Sequence, residues 1–256
     1  MSYVADERNT PPARRRAPFM LRGDDVSCRV QQWSFAPTTA QLVMYQQPQL
    51  PSTTDLRRWS TELAALGFTR LRTTAVIGAA VPRLESAGFT VLQELALLEH
   101  TDSWRATRAS LSLEAAMAPS PTTRRLLVAE RSQASVIDAA AFGHDWALDE
   151  VAIHDVCCAT PRQRARAAGD PLAAYAITGR DGKQGFLQRL AVHPDAQRRG
   201  LGLALVLDSL QWLARWRVTR TLVNTPIDND PALALYERVG FRGLPDRLRV
   251  YERDLG

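Results

Sequence analysis

The sequence predicts a mixed α/β protein of the α+β kind, with a mixed central sheet flanked by helices, and three observations carry that expectation. Short runs rich in Val, Leu, Ile and Thr alternate with segments whose apolar residues recur at helical spacing. Turn signals separate them, as at Gly169-Asp170-Pro171 and Arg180-Asp181-Gly182. From residue 122 onward the order is strand, two helices, three strands, helix, strand, helix, strand, which fits neither an all-helical nor an all-strand fold.

Taken in order, residues 1–22 combine Pro11, Pro12 and Arg14-Arg15-Arg16 with little apolar periodicity, and a flexible basic tail is expected there. In residues 23–100 the pattern gives a strand at Leu42 to Tyr45 and a helix from Leu56 to Leu66 that Gly67 ends. A strand at Leu71 to Val76, a helix from Ala80 to Ala87 stopped by Gly88, and an apolar run from Phe89 to Leu98 follow. Residues 101–121 form a linker, closed by Ala118-Pro119-Ser120-Pro121. The remainder, 122–256, starts with a short strand at Arg125 to Glu130 and helices at Gln133 to Phe142 and Asp149 to Ala159. Strands are expected at Arg164 to Ala168, Leu172 to Thr178 and Gly185 to Val192. A long helix at Leu201 to Trp216, a strand at Thr221 to Asn224, a helix at Asp230 to Val239 and a strand at Leu248 to Arg253 complete the chain.

An internal repeat links the two halves. Laying 69–102 on 221–254 without a gap matches Thr69 with Thr221, Thr73 with Thr225, Ala80 with Ala232 and Glu85 with Glu237. It also matches Gly88 with Gly240, Phe89 with Phe241 and Asp102 with Asp254. Both segments read strand, helix, Gly-Phe, strand, so residues 23–100 are expected to be a partial, diverged copy.

The 256 residues are 45% hydrophobic and 23% charged, within the ordinary range for a folded chain, and the apolar runs fall short of a membrane span. No membrane association is expected, and no signal peptide is recognised near Arg14-Arg16. The net charge of +5 is spread along the chain as scattered arginines, with Lys183 the only lysine, and no nucleic-acid motif accompanies it. Nucleic acid is therefore not an expected partner. Three cysteines without Cys-x-x-Cys spacing fit a reducing, cytoplasmic setting, with the Cys157-Cys158 pair expected to be buried and structural. His144 and His154 show no metal-ligand spacing, and no metal is assigned.

Chemistry is written at Leu190-Ala191-Val192-His193-Pro194-Asp195-Ala196-Gln197-Arg198-Arg199-Gly200-Leu201-Gly202. A strand ends at Val192, and the Gln197-x-x-Gly200-x-Gly202 loop opens directly into a helix. Such a junction leaves main-chain N–H groups unpaired at the positive end of a helix dipole, which suits a diphosphate. Glycines at 200 and 202 keep side chains out of the way, and Arg198 and Arg199 add charge. The alternative at this stage is a glycine turn that merely starts a helix. A second motif, Asn229-Asp230-Pro231 through Leu235-Tyr236-Glu237 to Gly240-Phe241, gives a helix with Asp230 as its start and Gly240 as its stop.

Together the two motifs resemble the Gcn5-related N-acetyltransferase (GNAT) superfamily over roughly Thr122 to Asp254. The resemblance implies a GNAT acyl-CoA N-acyltransferase fold in 122–256, preceded by a degenerate partial GNAT-like lobe in 23–100. It implies acetyl-CoA as co-substrate, cradled by the backbone of Gln197, Arg198, Arg199, Gly200, Leu201 and Gly202. Leu190, Ala191 and Val192 would pair with the pantetheine arm, Asn229 would contact the cofactor from the opposite wall, and Tyr236 would be the thiolate-facing general acid. The implied reaction is acetyl transfer to a primary amine, on a small molecule or a protein, by direct attack without an acyl-enzyme. An idle acyl-CoA sensor, or transfer of another acyl chain or to another acceptor, are the competing expectations. Tyr236 could also be a plain core aromatic on an amphipathic helix.

Freeing the lone pair of a lysine-like amine at pH 7 costs about 4.6 kcal/mol, against about 1.4 kcal/mol for an α-amine. The strand Gly185 to Val192 carries Gln188 and Arg189 but no carboxylate, so a base must be a water relay or a group from elsewhere such as Asp149 or Glu150. His193 lies beside the motif but precedes Pro194, as turn residues do. The earlier lobe offers no glycine between Gln46 and Asp55 and has Leu84 where Tyr236 would fall, so no second cofactor site is expected.

Overall fold

The computed structural model describes residues 16–44, 50–101 and 121–256. In chain order its elements are β1 (Phe19–Arg22), β2 (Ser27–Gln32), β3 (Thr39–Val43), α1 (Thr53–Ala65), β4 (Arg70–Thr73), α2 (Ala80–Ser86) and β5 (Thr90–His100). There follow β6 (Thr123–Arg125), α3 (Arg131–Phe142), α4 (Glu150–Cys158), β7 (Arg162–Ala168), β8 (Ala174–Asp181) and β9 (Gln184–Val192). The last are α5 (Leu201–Arg215), β10 (Arg220–Pro226), α6 (Asp230–Arg238) and β11 (Arg242–Asp254). This is the α+β class, a mixed sheet with helices, and the turns and hydrophobic periods of the sequence place most of its elements.

The chain divides into two compact units. One comprises Met1–Leu92 with Val250–Gly256, the other Gln93–Arg249. In the first, strands run in the order β1, β2, β3, β4, and 250–254 of β11 pair antiparallel with β4, Glu252 opposite Arg72. Its core gathers Leu42, Leu56, Trp59, Leu63, Leu71 and Leu84 together with Tyr251 from that C-terminal strand. Helix α1 buries Leu56, Trp59, Ser60 and Leu63, the i, i+3, i+4, i+7 stripe of an amphipathic helix. In the second unit the order is β11, β5, β10, β9, β8, β7, β6. Here β10 pairs antiparallel with 95–100 of β5, and α5 packs on β7, β8 and β9. The core beneath α5 and α6 contains Leu187, Leu201, Leu205, Val206, Leu210, Val223 and Tyr236. A separate cluster beneath α3 and α4 contains Ile137, Ile153, Tyr175, Ile177 and Ala191.

Several elements differ from expectation. Phe19–Arg22, read as the end of a tail, forms β1 and pairs with β2; the Trp59 indole N–H donates to the Arg22 carbonyl at 3.0 Å, which ties the strand to α1. The rest of the tail, 1–15, lies outside the described residues, as do Tyr45, Gln46 to Gln49, Asp102 and the linker at 102–120. The strand expected at Arg125 to Glu130 stops at Arg125, because Val128–Glu130 is a single 3-10 turn closed by the Glu130 carboxylate on the Leu127 N–H. Cys157 is buried but Cys158 is exposed, since neighbours on a helix face different sides. Among the described residues the order strand, helix, strand occurs in both aligned segments, as β4, α2 and β5 and again as β10, α6 and β11.

The division of the units does not follow the sequence halves. Residues 93–100 of β5 belong with the second unit, and 250–254 of β11 belong with the first. Each strand is the counterpart of the other in the repeat, so each half of the chain supplies one edge partner to the other half's sheet.

Candidate active site

The candidate site grows from a fork in the sheet of the second unit. Strand β9 pairs with β8 along its whole length, from Gln184 opposite Asp181 to Val192 opposite Ala174. It pairs with β10 only at Gln184, Gly185 and Phe186. Beyond Phe186 the two parallel strands part, and β10 continues against β5 on its other side. A wedge therefore opens beside Leu187 to Val192. Gln188 is an extra residue in β9, a bulge between Leu187 and Arg189, and such a bulge re-aims the strand that carries it.

Which main-chain groups face the wedge follows from alternation. The His193 N–H donates to the Ala173 carbonyl at 2.9 Å, so this is a hydrogen-bonded pair and Ala191 with Tyr175 is the next. Ala191 is thus committed to β8, whereas Leu190 and Val192 turn their N–H and C=O groups toward the wedge. Of the three strand residues marked by the sequence, two are presented and one is not. The Val192 carbonyl meets the Gln197 side-chain amide at 3.5 Å.

After β9, His193 accepts from the Asp195 N–H through Nδ1 at 3.3 Å and behaves as the cap of a 3-10 turn, Pro194–Ala196. The chain then enters α5 through two left-handed residues, Arg198 at φ 59° and Gly200 at φ 78°. For arginine that conformation is uncommon and strained, and alternating left- and right-handed residues aim successive N–H groups into one concavity. Gly200 is the N-cap of α5 and offers no side chain to close the helix. Among the described residues the N–H groups of Arg198, Arg199, Gly200, Leu201, Gly202 and Leu203 have no partner. Gln197 differs from expectation, because its N–H already donates to Pro194 at 3.2 Å. A Cβ at Gly202 would come to 3.4 Å of Leu235 and 3.6 Å of Val192, so the glycine keeps the floor between β9 and α6 low. Arg198 and Arg199 are exposed.

The counterpart helix in the first unit makes the contrast. At the N-terminus of α1, Ser52 accepts from the Asp55 N–H at 3.0 Å and the Asp55 carboxylate accepts from the Ser52 N–H at 3.1 Å. Asp55 is 2% exposed and also takes the Asp24 N–H and the Arg58 guanidinium. Burial opposes its charge, but these donors outweigh burial and hold its pKa below the usual carboxylate value. A carboxylate of the chain itself sits at that positive helix end, whereas the end of α5 is left open.

On the other wall, α6 starts with Asn229 as its N-cap, one residue before the expected Asp230; the Asn229 side-chain oxygen accepts from Ala232 at 3.2 Å. The carboxamide oxygen is therefore held by the helix start, and the NH2 is left to donate to a ligand. Tyr236 lies in the α5–α6 core, 5% exposed, with its ring 5.6 Å from Phe241. Among the described residues its hydroxyl has no hydrogen-bond partner. Burial pushes its pKa up to about 12, partly offset by the charge of Arg189. The carboxylates considered as bases are otherwise engaged or exposed: Asp149 caps α4 through Ala152 at 2.7 Å, and Glu150 is exposed in the first turn.

A polar cluster behind β9 has no signature in the sequence. Asp138 of α3, fully buried, accepts from Arg189 Nη2 at 2.5 Å and Nε at 2.8 Å, from Tyr175 Oη at 2.5 Å and from the Leu148 N–H at 2.7 Å. Its Asp138 and Arg189 lie 51 positions apart in the chain, and only the unusual Arg189 in an apolar strand could have pointed to it. No group of three or more potential metal ligands is assembled among the described residues.

The second unit thus combines a forked mixed sheet with an open helix N-terminus that follows its parting strand. Residues 92–241 match the family described as "Acetyltransferase (GNAT) family", and the chain belongs to that family. Over 78 residues it is 41% identical to a mycothiol acetyltransferase of Clavibacter sepedonicus, covering 30% of this chain and 26% of the relative. Over 84 residues it is 37% identical to a [ribosomal protein bS18]-alanine N-acetyltransferase of Salmonella typhimurium, covering 33% of this chain and 57% of the relative. The matches thus span between a quarter and little more than half of these curated relatives. A solved tandem GNAT protein from the clavulanic acid biosynthesis pathway superposes with a TM-score of 0.60 at 14% identity, covering 90% of this chain and 79% of that one, a likeness of fold.

Proposed function

We propose that the chain is an acetyl-CoA-dependent N-acetyltransferase that acetylates a primary amine by direct attack, without an acyl-enzyme. The observation that carries the reading is the run of unpartnered N–H groups from Arg198 to Leu203 at the mouth of the β9–β10 wedge. Those groups, with Arg198 and Arg199, suit the diphosphate of acetyl-CoA, and the main-chain groups of Leu190 with the N–H of Val192 suit a strand-like pantetheine arm. When bound, the thioester supplies an acetyl carbonyl activated by a good leaving group. Tyr236 can donate a hydrogen bond to the sulfur; transferring its proton would run uphill by about 5 kcal/mol from a pKa near 12 to a thiol near 8.5. Its role in this reading is a donor that stays protonated. Residues 122–256 would carry the catalytic residues, with 23–100 a degenerate lobe without a second cofactor site. The three free cysteines support a cytoplasmic setting.

The acceptor follows from the missing base. With no carboxylate on β9 and Asp138 neutralised by Arg189, an amine already largely deprotonated is favoured, and an α-amino group saves about 3 kcal/mol over a lysine side chain. We therefore assign an α-amine, on a peptide or a small molecule, as the acceptor. The test is calorimetry with acetyl-CoA followed by thiol release with two peptides, one with a free N-terminal alanine and one N-blocked with a free lysine. The expected result is micromolar binding and at least tenfold faster turnover of the alanyl peptide at pH 7. Binding without turnover of any amine would overturn the enzymatic reading in favour of a sensor, and preference for the lysine peptide would overturn the acceptor assignment.

A further inference from the structure

The Asp138–Arg189 cluster is more than core chemistry, because of where its ends attach. Arg189 belongs to β9 and is followed by Leu190, whose main chain faces the wedge. The guanidinium forks to Asp138, and Nη2 also donates to the Trp146 carbonyl at 2.9 Å. The Phe142 ring lies against it, 3.6 Å from the guanidinium carbon to the ring centre. Asp138 in turn takes the Leu148 N–H. The connection between α3 and α4, residues 143–149, is thereby fastened at Trp146 and Leu148 to the strand edge where the wedge begins. Burial opposes charge on Arg189, yet Asp138 outweighs it and keeps the guanidinium ionised.

The two faces of this sheet have different occupants. The open helix end and Tyr236 belong to the face covered by α5 and α6, while α3, α4 and their connection cover the other. A thioester that enters the wedge from the α5 side leaves the α3–α4 side for the amine. We propose that Arg189 is a positioning residue for the acceptor: by gripping Asp138 and the Trp146 carbonyl together, it fixes the 143–149 connection as the wall along which the amine approaches. This rests on the transferase reading above. Arg189 touches neither substrate in it. Lysine at the same position can neutralise Asp138 but lacks the planar fork that reaches two acceptors at once.

The test compares the full-length parent with Arg189→Lys and, because a buried unpaired Asp138 could unfold a neutral variant, with the double change Arg189→Met/Asp138→Asn. Hydrogen exchange of 143–149, acetyl-CoA affinity by calorimetry, and KM and kcat for the alanyl peptide are measured on each. In Arg189→Lys the proposal expects exchange of 143–149 to quicken at least tenfold and the peptide KM to rise at least fivefold. Acetyl-CoA affinity should stay within twofold and kcat within threefold, and the double variant should behave alike. An unchanged KM in a folded variant, or a loss of acetyl-CoA affinity matching the rise in KM, overturns the proposal. Failure of the parent itself to bind acetyl-CoA or to turn over peptide would overturn the transferase reading on which it rests.

Discussion

At Tyr236 burial and chemistry are coupled. The ring is packed in the α5–α6 core, so its hydroxyl is costly to ionise, and the same desolvation strengthens any hydrogen bond it donates. Tyr236→Phe is expected to lower kcat by about 10- to 100-fold with acetyl-CoA affinity within twofold, measured by steady-state kinetics and calorimetry. The phenol also leaves a mark on stability. Its folded pKa of about 12 exceeds the unfolded value near 10, so its contribution is complete below pH 10 and is lost as the pH rises from 10 to 12, by roughly 3 kcal/mol. Cys28, pushed up to about 12 by burial, weakens the fold in the same direction from about pH 9. The Tyr236 part is isolated by comparing urea midpoints at pH 8 and pH 11.5: Tyr236→Phe should lose less stability than the parent over that interval, and equal losses would contradict the assignment.

Between elements, the instructive comparison is α1 with α5. Both follow a strand and precede a segment of the repeat, but one end is closed by a capping box and the other by nothing. Ser52 and Asp55 stabilise α1 by about 1–2 kcal/mol and spend the anion site on the chain's own carboxylate. Gly200 forgoes that gain at α5. Electrostatics should then be visible in binding: Arg198→Ala/Arg199→Ala is expected to weaken acetyl-CoA about tenfold at 20 mM salt and to flatten the salt dependence, because exposed charges are screened over a Debye length. Titration calorimetry at 20 and 300 mM salt reads both effects. Equal affinities for parent and variant at low salt would remove the two arginines from the site.

For the whole chain, the consequential feature is that the division into units cuts through β5 and β11, so 93–100 belong with the second unit and 250–254 with the first. A protein beginning at residue 101 lacks the strand that covers one edge of β10 from Thr221 to Pro226. An unpaired strand edge of that length invites aggregation. Such a truncation is expected to give no cooperative thermal transition and no acetyl-CoA binding; a folded monomer from 101–256 would contradict it. The sequence made the α5 loop legible because its parts are contiguous, and the repeat legible because Gly88-Phe89 and Gly240-Phe241 punctuate the same order of elements. It did not reveal β1 and β2, where Ser27 to Gln32 carries only Cys28 and Val30 as apolar inward residues. Nor did it reveal Asp138 against Arg189, or which strand lies beside β4 and β10, since such pairings depend on the tertiary arrangement and not on local period.

That division also sets a schedule during translation. Residues 250–254 emerge from the ribosome after every residue of 93–249, so the first unit waits for its final strand while the second is already complete in the nascent chain. The segment made earliest is thus the last to close, and until then the side of β4 from Arg70 to Arg72 lacks the strand it pairs with.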